Sequence, residues 1–148
     1  MVANSTKNGR QLNQISRIDH SGRIALVTGA TYGIGRMIAE GFAASNATVI
    51  ICSRDISACA KVSKEISEKY SVDCLGFAAD LSTDEGTRSL LDAVADYTES
   101  IHVLVNNAGR ALTAPIDEYP EDAWDNVFDL NLKATFFMLA DSEASNFN

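Results

Sequence analysis

The sequence predicts an α/β protein with a doubly wound parallel sheet, that is, a sheet covered by helices on both faces. Short apolar runs rich in β-branched residues, typical of strands buried on both faces, recur along the chain. Segments with apolar residues at helical spacing separate these runs. Such alternation favours parallel strands joined by helical crossovers. At 148 residues, the chain has the core of one small domain.

The first half of the chain contains two strand and helix pairs. The run Ile-Ala-Leu-Val-Thr predicts a strand over 24–28, and apolar spacing from Gly35 predicts a helix that stops near Asn46. A second strand is predicted over 48–52 and a second helix over 57–69.

The second half continues the alternation. We predict a strand over 74–79, a helix over 84–97 and a strand over 101–105. A loop with two prolines then leads to a last helix, which starts near Glu121. This helix carries large apolar side chains at Trp124, Val127, Phe128, Leu130, Leu132 and Phe136.

Composition excludes several classes of function. A formal charge of -8 argues against nucleic acid or an anionic membrane as a partner. The residues Cys52, Cys59 and Cys74 lack zinc-site spacing, so we expect buried, reduced thiols and no metal site. Residues 1–20 contain no apolar segment typical of a secretion signal, and no later stretch has the length of a membrane span. We therefore expect a cytoplasmic protein.

A glycine-rich turn follows the first predicted strand. It comprises Gly29, Thr31, Tyr32, Gly33, Ile34 and Gly35, with Ala30 between them. Such a turn between a buried strand and a helix lets a pyrophosphate meet the helix N-terminus. The spacing G-x₃-G-x-G differs from the general dinucleotide fingerprint. A tight connection without a ligand is therefore the alternative.

Two further motifs stand at strand ends, where open α/β sheets bind ligands. Asp80 and Leu81 follow the third strand, and the run from Asn106 through Asn107, Ala108 and Gly109 follows the fourth. Together with the glycine turn, these motifs resemble those of the short-chain dehydrogenase/reductase family over about residues 20 to 139.

The resemblance implies roles for the three motifs. It implies that the glycine turn holds the cofactor diphosphate and that Asp80 contacts the adenine. The segment Asn107, Ala108 and Gly109 lines the cofactor and steadies the sheet in that family. For Asp80 the alternatives are a helix N-cap and a solvated loop acid.

Cofactor preference is predicted from the end of the second strand. A carboxylate there selects NAD through the ribose 2′-hydroxyl, whereas an Arg accommodates the 2′-phosphate of NADP. Ser53 replaces the Asp of NAD-preferring members, and Arg54 matches NADPH-preferring ones. We therefore expect NADP(H). Asp55 would repel a phosphate and Arg54 could be merely solvated, which leaves NAD as the alternative.

A narrower resemblance concerns the substrate. The segments 33–39, 58–60 and 80–82, together with Trp124, are similar to 3-oxoacyl reductases of rhamnolipid-type pathways. This resemblance implies a small carbonyl or hydroxyl substrate, and specifically a β-oxoacyl group, for a complete relative.

Only part of the family's catalytic set is present. Its members use a Tyr acid with a Lys four positions on, a Ser that orients the substrate, and an Asn that anchors a relay water. Asn131 matches the Asn, and its alternative is a helix-interior residue bonding locally. No Tyr of this sequence has a Lys four positions later. The Tyr–Lys pair and the Ser strand are therefore missing.

The resemblance divides the chain into three parts. Residues 1–20 form a polar extension, 21–139 a Rossmann-like nucleotide-binding half domain, and 140–148 a polar tail unlike the family. This predicts a C-terminally truncated chain whose fourth strand is an exposed, association-prone edge.

Two functions are consistent with these observations. The first is an NADP(H)-dependent oxidoreductase by descent, inactive as this truncated chain. The second is a non-catalytic cofactor-binding or interaction protein that pairs with a complete relative through residues 124–138. The expected partners are NADP(H) and a homo- or hetero-oligomeric family chain.

Overall fold

A computed structural model describes residues 18–144, and its centre is one parallel sheet. The strands lie in the order β3-β2-β1-β4. Their bounds are β1 Ile24–Thr28, β2 Thr48–Ser53, β3 Cys74–Ala78 and β4 Val103–Val105. Every pairing is parallel. The predicted α/β class and doubly wound sheet are confirmed.

Helices cover both faces of this sheet. The helices are α1 Gly33–Ala44, α2 Ile56–Tyr70, α3 Asp84–Ala95, α4 Glu121–Phe128 and α5 Ala134–Ala144. Neighbouring strand residues point to opposite faces: Val27 packs in the cluster of α1 and α2, whereas Leu26 packs in that of α3 and α5. Because both faces are buried, β1 and β2 have continuous apolar sequences.

The last helical region is more irregular than its sequence predicts. A 3₁₀ turn at Ile116–Glu118 lies before α4, and a π-helical stretch at Asp129–Lys133 separates α4 from α5. An extra residue in a helical turn changes the direction of side chains, and such stretches occur often at functional sites. The predicted start at Glu121 agrees with the structure.

Other boundaries differ by one or two residues. The first helix begins at Gly33 rather than Gly35 and ends before Asn46, whose φ of 67° is left-handed.

Cys52 and Cys59 are buried as expected, but Cys74 is only half-buried because it begins the edge strand β3. Burial raises the pKa of both Cys52 and Cys74 to about 12, so these thiols stay protonated at neutral pH.

The two ends of the chain lie outside this description. Most of the predicted extension, 1–20, and the end of the predicted tail, 140–148, fall on residues that the structure does not describe. The described part of the chain, residues 18–144, contains no helix with the length and hydrophobicity that a membrane span requires.

Candidate functional site

A groove that is partly open to solvent lies at the carboxyl ends of the strands. Every strand contributes to its wall through the segment that follows it. Among the residues predicted from sequence, the groove is lined by Gly29, Tyr32, Ser53, Arg54, Asp80, Leu81, Ala108 and Gly109. Its other lining residues are Cys52, Ala79, Arg110 and Leu130. The structure therefore brings the three sequence motifs together around one cavity.

The glycine turn is shaped by contacts within the protein as well as by space for a ligand. Gly29 has a φ of +63°, and a Cβ there would lie 2.9 Å from the Cα of Ala108. A Cβ at Gly35 would collide with the Gly29 carbonyl and the Asn107 side chain. Gly33 has a φ of +59° but open space where a Cβ would be. Glycine at 29 and 35 therefore allows close packing, whereas the backbone at 33 is accessible.

The N-terminus of α1 is open to an anion. Tyr32 occupies the N-cap position, but its side chain makes no capping hydrogen bond, and the first turn contains no acidic residue. The first amides of a helix lack partners within the helix and carry partial positive charge. Amides of this kind can bind a phosphate group, and Tyr32, which precedes them, lines the groove. The predicted residues Thr31 and Ile34 belong to this turn without lining the groove.

Arg36 is the positively charged residue nearest in sequence to the glycine turn, and it is already paired with two carboxylates. Arg36 lies 3.0 Å from Glu40 and 2.8 Å from Glu65, measured between nitrogen and oxygen. Hydrogen bonds from three donors, of which Lys69 has the largest effect, lower the pKa of Glu40 to about 2. This network joins α1 to α2 and keeps Arg36 from serving as a phosphate ligand.

Buried hydrogen bonds fix the β4 loop to the end of β1. The Thr28 hydroxyl accepts hydrogen bonds from the amides of Asn107 and Ala108, both at 3.0 Å. It also donates to the Val105 carbonyl at 3.2 Å. The Asn107 side chain donates to the carbonyls of Thr28 and Gly29 at 2.9 and 3.1 Å. Sequence reasoning missed the role of Thr28, although a polar residue that ends an apolar strand was the available signal.

Asp80 presents an ionised carboxylate to the groove. It accepts hydrogen bonds from the Ser82 amide at 3.0 Å and the Ser82 hydroxyl at 2.7 Å. These bonds lower its pKa, and the charges of Arg54 and Arg110 add smaller effects in the same direction. Thr83, not Asp80, caps α3 by accepting from the Gly86 amide. The N-cap alternative for Asp80 is therefore wrong.

The end of β2 places a free guanidinium in the groove. Arg54 is exposed, and its side chain has no hydrogen-bond or ion-pair partner within the described residues 18–144. The neighbouring Asp55 is used as the N-cap of α2, where it accepts from the amides of Ser57 and Ala58 at 2.8 and 3.1 Å. Asp55 does not line the groove.

Asn131 bonds across the structure rather than within its helix. Its side-chain oxygen accepts from the Arg110 amide at 2.9 Å, and its side-chain nitrogen donates to the Arg110 carbonyl at 2.8 Å. A Cβ at Gly109 would lie 3.2 Å from that oxygen, so glycine keeps this approach open. The alternative of local side-chain bonding is wrong. Asn131 holds the wall of the groove without lining it.

Comparison with protein-family models identifies the fold's relatives. The model described as short chain dehydrogenase matches residues 23–142. The chain belongs to the short-chain dehydrogenase family. The match includes the glycine turn, the acid after β3, the β4 loop and Asn131. The resemblance seen in the sequence is therefore confirmed over the whole groove.

Individual members of the short-chain dehydrogenase family are similar over most of this chain. The "Rhamnolipids biosynthesis 3-oxoacyl-[acyl-carrier-protein] reductase" of Pseudomonas aeruginosa is 43% identical over 116 residues, which are 78% of this chain and 44% of the relative. The 3-oxoacyl-[acyl-carrier-protein] reductase FabG of Aquifex aeolicus is 34% identical over 82% of this chain and 49% of the relative. The chain thus spans about half the length of these curated relatives.

Solved structures of family members have the same fold. The Pseudomonas aeruginosa RhlG/NADP active-site complex matches with a TM-score of 0.81 and 39% identity, covering 86% of this chain and 49% of that one. L-Sorbose reductase from Gluconobacter frateurii, complexed with NADPH and L-sorbose, matches with a TM-score of 0.84 and 28% identity, covering 88% and 49%. The four-stranded arrangement is therefore shared with about half of each of these structures.

Proposed function

We propose that this chain is an NADP(H)-binding short-chain dehydrogenase, whose family reaction transfers a hydride between a nicotinamide and a carbonyl or hydroxyl group. The observation that carries the proposal is Arg54 in the groove, which has no side-chain partner among residues 18–144, with Ser53 in place of a carboxylate. A guanidinium suits a phosphate because it presents several donors in one plane. The nucleotide-binding domain in this proposal is the half domain over 21–139.

The groove fits the other groups of the cofactor. The uncapped amides at the start of α1 fit the diphosphate, and the open backbone at Gly33 lets it approach. The ionised carboxylate of Asp80 fits an adenine amino group as an acceptor. Ala108 and Gly109 line the remaining wall. Two structural relatives were solved with NADP or NADPH, which supports the assignment.

The proposed substrate is a small carbonyl or hydroxyl compound, with a 3-oxoacyl group as the first choice. Support comes from the printed names of two relatives, both 3-oxoacyl-[acyl-carrier-protein] reductases. When bound, NADPH supplies the hydride, while the protein must deliver a proton to the oxygen. Asn131 has an amide side chain, which cannot donate a proton as a general acid. It holds the backbone of Arg110 in the wall of the groove instead.

We expect the 148-residue polypeptide to bind NADPH without turning over a carbonyl substrate. NADPH at about 100 times its Kd would stabilise the fold by about 2.7 kcal/mol, and NADH at the same concentration would raise the melting temperature less.

Absorbance of NADPH mixed with 3-oxoacyl thioesters or ketones should fall no faster than without protein. General acid catalysis contributes about 10² to 10⁴ in rate, and no Tyr of this sequence has a Lys four positions on. If NADH raises the melting temperature as much as NADPH or more, the result counts against NADP(H) binding as the function. Sustained loss of NADPH absorbance would show that the polypeptide is active.

Association with a second family chain is the second candidate function. The observation that favours it is an exposed apolar stripe at four-residue spacing, formed by Trp124, Phe128, Leu132 and Phe136, which are 52%, 42%, 60% and 65% exposed. Contiguous apolar surface of this kind marks interaction sites. Sedimentation velocity of the purified chain tests this candidate, because association requires a species larger than 15.9 kDa.

A further inference from the structure

Arg110 is a cation in the groove that neither the sequence motifs nor the family resemblance assigns. It follows Gly109 in the loop after β4 and lines the same cavity as Arg54, which follows β2. Asp80 lines the same cavity, and the charges of both arginines lower the pKa of its carboxyl group. Two guanidinium groups and one carboxylate thus line the same groove.

The backbone of Arg110 is held in place. The side chain of Asn131 bonds both its amide and its carbonyl, at 2.9 and 2.8 Å. Among the described residues, its guanidinium makes one long hydrogen bond, 3.3 Å to the side-chain oxygen of Asn126. A guanidinium has five donors, so most of them remain available to a ligand. Arg110 is half-buried, which limits the number of positions that its side chain can adopt.

The balance of charge explains why a second cation is needed. A phosphate monoester carries a charge of about -1.5 to -2 at neutral pH. The positive charge of Arg54 is offset by the negative charge of Asp80 in the same groove. Arg36 cannot contribute, since it is paired with Glu40 and Glu65. Arg110 therefore gives the lining of the groove, which also contains Arg54 and Asp80, its net positive charge.

We propose that Arg110 is a second phosphate ligand, which binds the adenosine 2′-phosphate of NADP(H) together with Arg54. This inference rests on the proposed NADP(H)-binding function. The two guanidinium groups reach the phosphate from the end of β2 and from the β4 loop. Asn131, which holds the Arg110 backbone, acts as the positioning residue of this arrangement.

The test compares Arg110→Gln with the unaltered chain by fluorescence titration of NADPH and NADH. Because Gln cannot make the charged hydrogen bond to the phosphate, NADPH affinity should fall about 10-fold or more. NADH lacks this phosphate, so its affinity should stay within about twofold. Adenosine 2′,5′-bisphosphate and 5′-AMP, used as competing probes, should show the same contrast. The control is Arg23→Gln, which removes a charge at the amino end of β1, whereas the groove lies at the carboxyl ends of the strands. It should change neither affinity.

The outcomes separate this inference from the proposed function. Equal loss of NADPH and NADH affinity, or no loss, in Arg110→Gln overturns the 2′-phosphate role. If the unaltered chain itself does not prefer NADPH, the proposed function fails, and this inference fails with it. Arg110→Lys, which keeps the charge, should retain part of the preference. It provides a second test should the Gln variant unfold.

Discussion

Replacing Gly35 with alanine is expected to lower the free energy of unfolding by about 3 kcal/mol or more, the upper range for overpacking. The added Cβ collides with the Gly29 carbonyl and with the side chain of Asn107. Neither can move freely, because Asn107 already bonds the carbonyls of Thr28 and Gly29. The loss arises from the packing of α1 on the turn, and it does not require a bound ligand.

Urea denaturation followed by circular dichroism measures this effect, and Gly41→Ala is the matched control. Gly41 lies in the same helix, and a Cβ there meets no atom within 4 Å. Since alanine favours helix more than glycine does, the control should gain up to about 1 kcal/mol. Similar stability changes in the two variants would show that Gly35 is not packed as the structure has it.

Reversing the charge at Arg54 is expected to reverse cofactor preference. In Arg54→Asp the new carboxylate repels the 2′-phosphate and accepts a hydrogen bond from a 2′-hydroxyl, as in NAD-preferring sites. Loss of one charged contact and gain of a repulsive one should weaken NADPH binding about 100-fold. NADH binding should stay constant or improve.

Isothermal titration of both nucleotides measures the switch. Lys64→Asp makes the same change of charge on the exposed face of α2, where Lys64 lies near Glu68. This control should alter neither affinity beyond a small general effect, because surface charges are screened over about 8 Å at physiological salt. Unchanged preference in Arg54→Asp would mean that Arg54 is only solvated.

The sheet was predictable because its strands are buried on both faces. Leu26 and Val27 enter different apolar clusters, so β1 has no polar alternation that would obscure it. The positions of the motifs at strand ends then located the groove, since parallel strands place their carboxyl ends at one edge.

Contacts between distant segments were not predictable. Asn131 bonds a backbone 21 residues away, and it does so from a π-helical stretch that has no sequence pattern. The contact between Gly35 and Asn107 also depends on the fold, so sequence alone suggested only access for phosphate. Arg110 was missed because a lone Arg in a loop has no periodic pattern, and only its shared cavity with Arg54 reveals it.

Titration of the isotope-labelled chain with NADPH, followed by backbone amide chemical shifts, tests whether the groove at the strand ends binds NADP(H). We expect the shifts to concentrate at the start of α1 and at Arg54, Asp80 and Gly109. The same shifts should give a lower Kd for NADPH than for NADH. Changes confined to surfaces away from the strand ends, or tighter binding of NADH, would contradict it.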